Sequence, residues 1–151
     1  MSYLLAIDPG ISGALAIYDQ ETHDVLSWDM PATAPELCRV LIGYSHDIDR
    51  AWLELVHSFP GQGVSSTWKF ACNYGIIQGV LGVMGVSYED VSPQKWQKLL
   101  GNLPKDKADR KKEIKRKAQN YFPKIKVTLK NADALAILMV MISQAKETVE
   151  K

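Results

Sequence analysis

Two apolar runs, Leu4-Leu5-Ala6-Ile7-Asp8 and Gly13-Ala14-Leu15-Ala16-Ile17-Tyr18, joined through Pro9-Gly10, restrict this chain more than any other stretch. Segments of strand length separated by a Pro-Gly turn read as a β-hairpin, and Val25 to Met30 supplies a third strand after the turn around Gln20-Glu21-Thr22. The chain therefore begins as an antiparallel meander, ended by Pro31. Asp8 stands at the lip of the hairpin. Its Asp-Pro-Gly context has an ordinary structural meaning, with the aspartate accepting from its own backbone and Gly10 taking a positive φ. It equally suits a carboxylate placed for chemistry, and residues downstream bear on the choice.

Pro35 to Ile42 has the apolar spacing of an amphipathic helix, with Leu37, Val40 and Leu41 on one side. Ala51-Trp52-Leu53-Glu54-Leu55-Val56 is nearly continuous in apolar residues, like a strand buried on both faces, yet it carries a glutamate in its middle. Glutamate is seldom buried unless paired or coordinating something; otherwise this would be an edge strand with Glu54 in water. A glycine-bearing loop, His57 to Ser66, leads into a helix expected from Ser66 to about Met84. Glycines let backbone approach a ligand, and a helix N-terminus attracts phosphate. Small residues at Ala71, Gly75, Gly79 and Gly82 suit either core packing or a dimer seam. Val86 to Val91 is a further strand, and Gln94 to Leu100 a short helix stopped by Gly101-Asn102.

With 151 residues, 46% of them hydrophobic, the chain is expected to form a single domain over 1–151. Cys38 and Cys72 make no metal-ligand spacing and no disulfide framework. The longest apolar windows, Gly75 to Val86 and Ala132 to Ser143, are too short for a bilayer, and no cleavable leader pattern opens the chain. These features point to a soluble cytoplasmic protein with no membrane partner and no organic cofactor.

Charge divides the chain. Residues 1–100 hold 5 Lys+Arg against 11 Asp+Glu and residues 101–151 hold 13 against 6, a balance of −6 followed by +7. Most of the excess lies between Lys105 and Lys130, as for a polyanion partner docking on one face, although such a run also suits a solvated helix. Asp106 opens this basic helix, whose thin apolar stripe is Ala108, Ile114, Ala118 and Tyr121. The last segment, from Asn131, reads as a largely buried helix with Asn131 as N-cap and Asp133 in its first turn, a position the helix dipole favours for any acid.

Three carboxylates thus stand in structural contexts that could converge: Asp8 at a strand end, Glu54 in a later strand and Asp133 at a helix start. Acids from two strands and a helix terminus can hold two hard divalent cations roughly 3.5–4 Å apart, as phosphodiester hydrolysis requires. Together with the basic segment they make a nuclease the best single account.

The motifs A-I-D-P-G, L-E-L-V-H-S-F-P-G-Q-G-V-S-S, V-S-P-Q-K-W and A-D-A-L-A-I resemble, in order and over nearly the whole chain, the RuvC-type Holliday junction resolvases. The P-G-Q-G-V-S-S block is most like their bacteriophage-borne branch. The resemblance implies an α/β ribonuclease H-like fold, a mixed five-stranded sheet flanked by helices. It also implies a homodimer and paired nicking of four-way and related branched DNA with two Mg²⁺ or Mn²⁺ ions per site. By position it assigns metal ligation to Asp8, Glu54 and Asp133. DNA contact is expected of His57, Phe59, Gln62, Ser65 and Ser66 in the glycine-bearing loop and helix start, and of Lys105, Lys107, Arg110, Lys111, Lys115 and Lys117 in the basic segment. The resemblance puts Lys130 among the catalytic positions, where bacterial members carry a fourth ligand, Asp or His; a lysine cannot ligate a cation. The wedge that opens the junction, an aromatic in bacterial members, falls on His57, and Phe59 close behind suits that task better. A junction-binding protein that cleaves poorly is the alternative Lys130 suggests. A nucleotide-binding relative of the actin and Hsp70 ATPases shares Asp8-Pro9-Gly10, but those proteins are far longer and need a second phosphate loop.

Overall fold

The opening meander forms as expected: β1 (Tyr3–Asp8), β2 (Ala14–Asp19) and β3 (Val25–Asp29) pair antiparallel in sequence order. The computed structural model describes every residue except Phe59, Glu150 and Lys151, and all remaining side chains except those of Thr148 and Val149. After α1 (Ala34–Leu41), β4 (Ile48–Glu54) returns to lie parallel to β1 on its other side, and β5 (Glu89–Val91) lies parallel to β4. The sheet runs β3-β2-β1-β4-β5, a mixed five-stranded sheet in the ribonuclease H-like arrangement.

Helices cover both faces. Leu5, Ile7, Leu15, Ile17 and Leu53 face α1 and α2 (Val64–Val83), meeting Leu37, Leu41, Ile77 and Leu81. Leu4, Ala6, Ala14, Ala16 and Trp52 face α3 (Pro93–Leu100), α4 (Lys107–Tyr121) and α5 (Ala132–Val149). The alternation of side chains along a strand sends Asp8 and Glu54 to this second face, in line with Ala6 and Trp52. Alanines at 6, 14 and 16 beneath Ala134 and Ala136 suit a close seat for α5 across β1 and β2.

Local chemistry sets the helix starts. Thr33 and Glu36 make a capping box on α1, the Ser92 hydroxyl accepts from the Lys95 N–H, and Asp106 accepts from the Asp109 N–H. Several expected boundaries shift. The strand predicted over Ala51 to Val56 begins at Ile48 and ends at Glu54, which puts the glutamate at the strand end instead of mid-strand. The strand predicted from Val86 starts at Glu89, because α2 closes with the Gly85 N–H on the Gly82 carbonyl and the Val86 N–H on the Leu81 carbonyl. This Schellman ending, with Gly85 at φ +69, consumes Val86. The α2 helix starts at Val64 with Gly63 as cap, so Ser65 and Ser66 lie in its first turn. In α4, Ile114 and Ala118 are buried as predicted, but Phe122 replaces Tyr121 in the core and Ala108 is exposed. Asn131 turns its side chain back, accepting from the Thr128 N–H and donating to Ser27 Oγ and the Lys126 carbonyl, so it ties down the preceding loop.

Candidate active site

The parallel pairing of β1 with β4 sets Ile7 opposite Leu53, so the next residues, Asp8 and Glu54, finish adjacent strands side by side. β1 is also where the chain direction across the sheet reverses, with β2 and β3 laid out on one side and β4 and β5 on the other. The carboxyl ends of strands at such a switch point form a crevice that loops do not close. The first turn of α5 brings Asp133 to the same crevice, close enough for its charge to act on both other acids.

The Asp-Pro-Gly turn serves both readings at once. The Gly10 N–H donates to Asp8 Oδ1 at 3.2 Å, the expected local bond. Gly10 does not take a positive φ, contrary to expectation. The glycine that geometry demands is Gly13: a Cβ there would lie 2.2 Å from the Asp8 carbonyl oxygen and 2.9 Å from Asp8 Cγ. Its N–H donates to the Gly10 carbonyl at 2.8 Å, drawing the loop tightly over the aspartate. From α2, Asn73 Nδ2 donates to the Pro9 carbonyl at 2.6 Å.

Burial and mutual repulsion act on all three acids. Asp8 is pushed up to about 6, first by burial and then by the charge of Asp133, against the opposing Gly10 bond and the positive charge of Lys111. Glu54, 7% exposed, is pushed up to about 8 by burial and by the charges of Asp8 and Asp133, with a bond from the Trp96 indole opposing. Burial also raises Asp133, and Lys111 again opposes. Among the described residues no three His, Cys, Asp or Glu side chains close into a ready-made metal cluster. As a donor set the three acids fit a hard divalent cation, being all oxygen ligands whose ionised forms, disfavoured by burial and, for Asp8 and Glu54, by neighbouring acid charge, would be favoured by added positive charge.

Sequence does not single out Trp96 or Gly13 as neighbours of the acids. The resemblance puts the N-terminal end of the basic helix, with Lys107 and Lys111, beside the active site; Lys111 is exposed, yet near enough for its charge to act on Asp8 and Asp133. Lys130 does not join the acids: its side chain is 60% exposed, and its Nζ lies 3.7 Å from Asp29 Oδ2 at the end of β3. Arg110 spends part of its guanidinium on the loop before α4, donating to the Lys105 carbonyl at 3.0 Å. Lys117 leans toward Gly101, while Lys105 and Lys107 are exposed and Lys115 is half-buried. His57, Ser65 and Ser66 are exposed between β4 and the first turn of α2, with Gln62 half-buried among them; Phe59 lies outside the described residues.

No protein-family model and no curated protein sequence matches this chain. Among solved structures it is similar to RuvC of Thermus thermophilus, at 17% identity over 97% of this chain and 96% of that one, with a TM-score of 0.61. It is similar also to T. thermophilus RuvC in complex with Holliday junction substrate, at 17% identity over 96% of each chain, with a TM-score of 0.65. The likeness extends over the whole sheet and its helices, and at this identity it is a likeness of fold.

Proposed function

We propose that this protein is a structure-selective endodeoxyribonuclease that resolves Holliday junctions and related branched DNA by paired nicks. The observation that carries the reading is the convergence of Asp8, Glu54 and Asp133 at one sheet end, beside Lys111, in a fold shared with a protein solved on a four-way junction. The three carboxylates would hold Mg²⁺ or Mn²⁺, which supplies activation of water and stabilisation of the leaving oxygen. The protein's own residues set the stage: Gly13 and the Gly10 N–H hold Asp8, and Lys111 offers positive charge to a phosphate entering the crevice. Assembly of paired sites, the cytoplasm as compartment and descent from the phage-borne branch belong to the same reading, the last resting on the Pro60 to Ser66 block alone. A labelled four-way junction incubated with Mg²⁺ or Mn²⁺, beside a binding assay in EDTA, tests it. Binding without incision in either metal would favour the second reading, a junction-binding protein, which the Lys130–Asp29 pair supports by withdrawing position 130 from the acids.

Paired nicking needs two sites related by a two-fold axis, and α2 offers the seam. Gly75, Gly79 and Gly82 meet nothing within 4 Å where a Cβ would stand, and Trp68 and Val83 on the same helix are 71% and 90% exposed. A Trp68→Glu, Val83→Glu variant is expected to run as a monomer by light scattering at micromolar concentration and to nick one strand without its partner. A wild-type monomer that still makes paired nicks would remove α2 from this role.

Lys107 and Lys111 lie one helical turn apart at the crevice end of α4. Each phosphate contact contributes a slope of roughly −0.9 to the log–log salt dependence of binding. The Lys107→Ala, Lys111→Ala variant is therefore expected to bind junctions of any sequence less tightly and to flatten that slope by about 1.8, because phosphate contacts position the protein without reading bases. Unchanged affinity and slope would reduce this end of the helix to a solvated face.

A further inference from the structure

Beneath the crevice lie two fully buried indoles, Trp52 on β4 and Trp96 on α3, and they differ in one respect. The Trp52 Nε1 finds no acceptor among the described residues, its ring flanked instead by Arg50 and Lys95. The Trp96 Nε1 donates to Glu54 Oε2 at 2.5 Å, a buried bond between residues brought together only by the fold. The backbone makes this approach unavoidable. Glu54 pairs with Val91, the Leu55 N–H donates to the Val91 carbonyl at 2.8 Å, and Ser92 caps α3 at once, so the first turn of that helix carries Trp96 directly against the end of β4. An indole N–H is a donor and never an acceptor, so it can only favour the carboxylate form, and it engages one of the two oxygens.

We propose that Trp96 is a positioning residue: its indole N–H locks the rotamer of Glu54 so that the carboxylate is presented, already oriented, to a divalent cation shared with Asp8 and Asp133. The inference rests on the metal-dependent reading of the site given above. Ligand-orienting bonds of this kind typically change metal affinity by about 10- to 100-fold. The Trp96 side chain is also part of the core under α5, so loss of the bond must be separated from loss of packing. Trp52→Phe supplies that control, since it removes an indole N–H of comparable burial that has no partner among the described residues.

The experiment compares the wild-type full chain, Trp96→Phe and Trp52→Phe for Mn²⁺ binding by calorimetry without DNA, for the Mg²⁺ concentration giving half-maximal nicking, and for junction binding in EDTA. Trp96→Phe is expected to weaken Mn²⁺ binding about 10- to 100-fold and to raise the half-maximal Mg²⁺ by a similar factor, with the rate recovering at saturating metal and junction binding unchanged. Trp52→Phe should match the wild type in all three. Where Trp96→Phe does not fold, replacement of Trp96 by 3-benzothienylalanine keeps the bicyclic volume, lacks the N–H and should give the same metal defect. Wild-type Mn²⁺ affinity in either Trp96 variant would overturn this proposal alone, as would an equal loss in Trp52→Phe. A wild-type protein that binds no Mn²⁺ would bring down the metal-dependent reading and this inference with it.

Discussion

Asp8→Asn, Glu54→Gln and Asp133→Asn are each expected to lower nicking of a four-way junction by roughly a thousandfold or more, while binding to the same junction in EDTA stays close to wild type. Metal-based stabilisation of a transferring phosphoryl group is worth several kcal/mol, and each 1.36 kcal/mol is a factor of ten. On the proposed reading, binding would rest instead on phosphate contacts from the basic surface, which these substitutions leave in place. All three variants keep side-chain size and lose only charge, so the protein should fold. Glu54→Gln retains an acceptor for the Trp96 N–H, and it relieves the repulsion among the acids. Full nicking by any one variant would remove that residue from the site.

The metal-free protein is expected to lose stability as pH rises from about 4 to about 8. Asp8 and Glu54 are held in the folded state at about 6 and about 8, above their ordinary values of 3.8 and 4.5. Between these limits the folded chain keeps protons that the unfolded chain has released, so stability is fully present below the unfolded values and falls as pH climbs through the folded ones. At 1.36 kcal/mol for each pK unit the two groups together bound the loss at about 8 kcal/mol, so a fall in melting temperature of roughly 10 °C or more by pH 8 is expected for a chain of this size. Mg²⁺ or Mn²⁺ should oppose it at pH 8, by about 2.7 kcal/mol at a hundred times its Kd, and have little effect at pH 5 where Asp8 and Glu54 hold their protons. Glu54→Gln should flatten the profile. Thermal melts across this pH range, with EDTA and with each metal, check it; a melting temperature that rises with pH and ignores metal would show that the acids do not crowd one another.

The two sets of measurements also bear on Lys111. Its ammonium is the positive charge that moderates both Asp8 and Asp133 in the absence of metal. Where all three acids ionise, they outnumber the one lysine, so on the proposed reading phosphate would enter favourably only with metal bound. Lys130, paired with Asp29 on the surface, does not help to offset their charge.

The sequence by itself determined what depends on residues within a turn or two of one another. The meander, the Asp8–Gly10 bond, the start of α4 at Asp106, and the place of Asp133 in the first turn of α5 follow from strand alternation, turn chemistry and first-turn electrostatics, and all were legible. The contexts of Asp8, Glu54 and Asp133 marked them as a set, and the resemblance of ordered motifs added the fold class. Tertiary structure alone decided where β4 ends, and with it that Glu54 stands beside Asp8, because strand register is set by burial on both faces of the sheet and not by the residues flanking the glutamate. It also decided that Trp96 reaches Glu54 and that the α2 glycines face away from the core. Each of these is a contact between segments far apart in the chain, whose free energy comes from packing whole elements together, and no local pattern records which partner an element will meet.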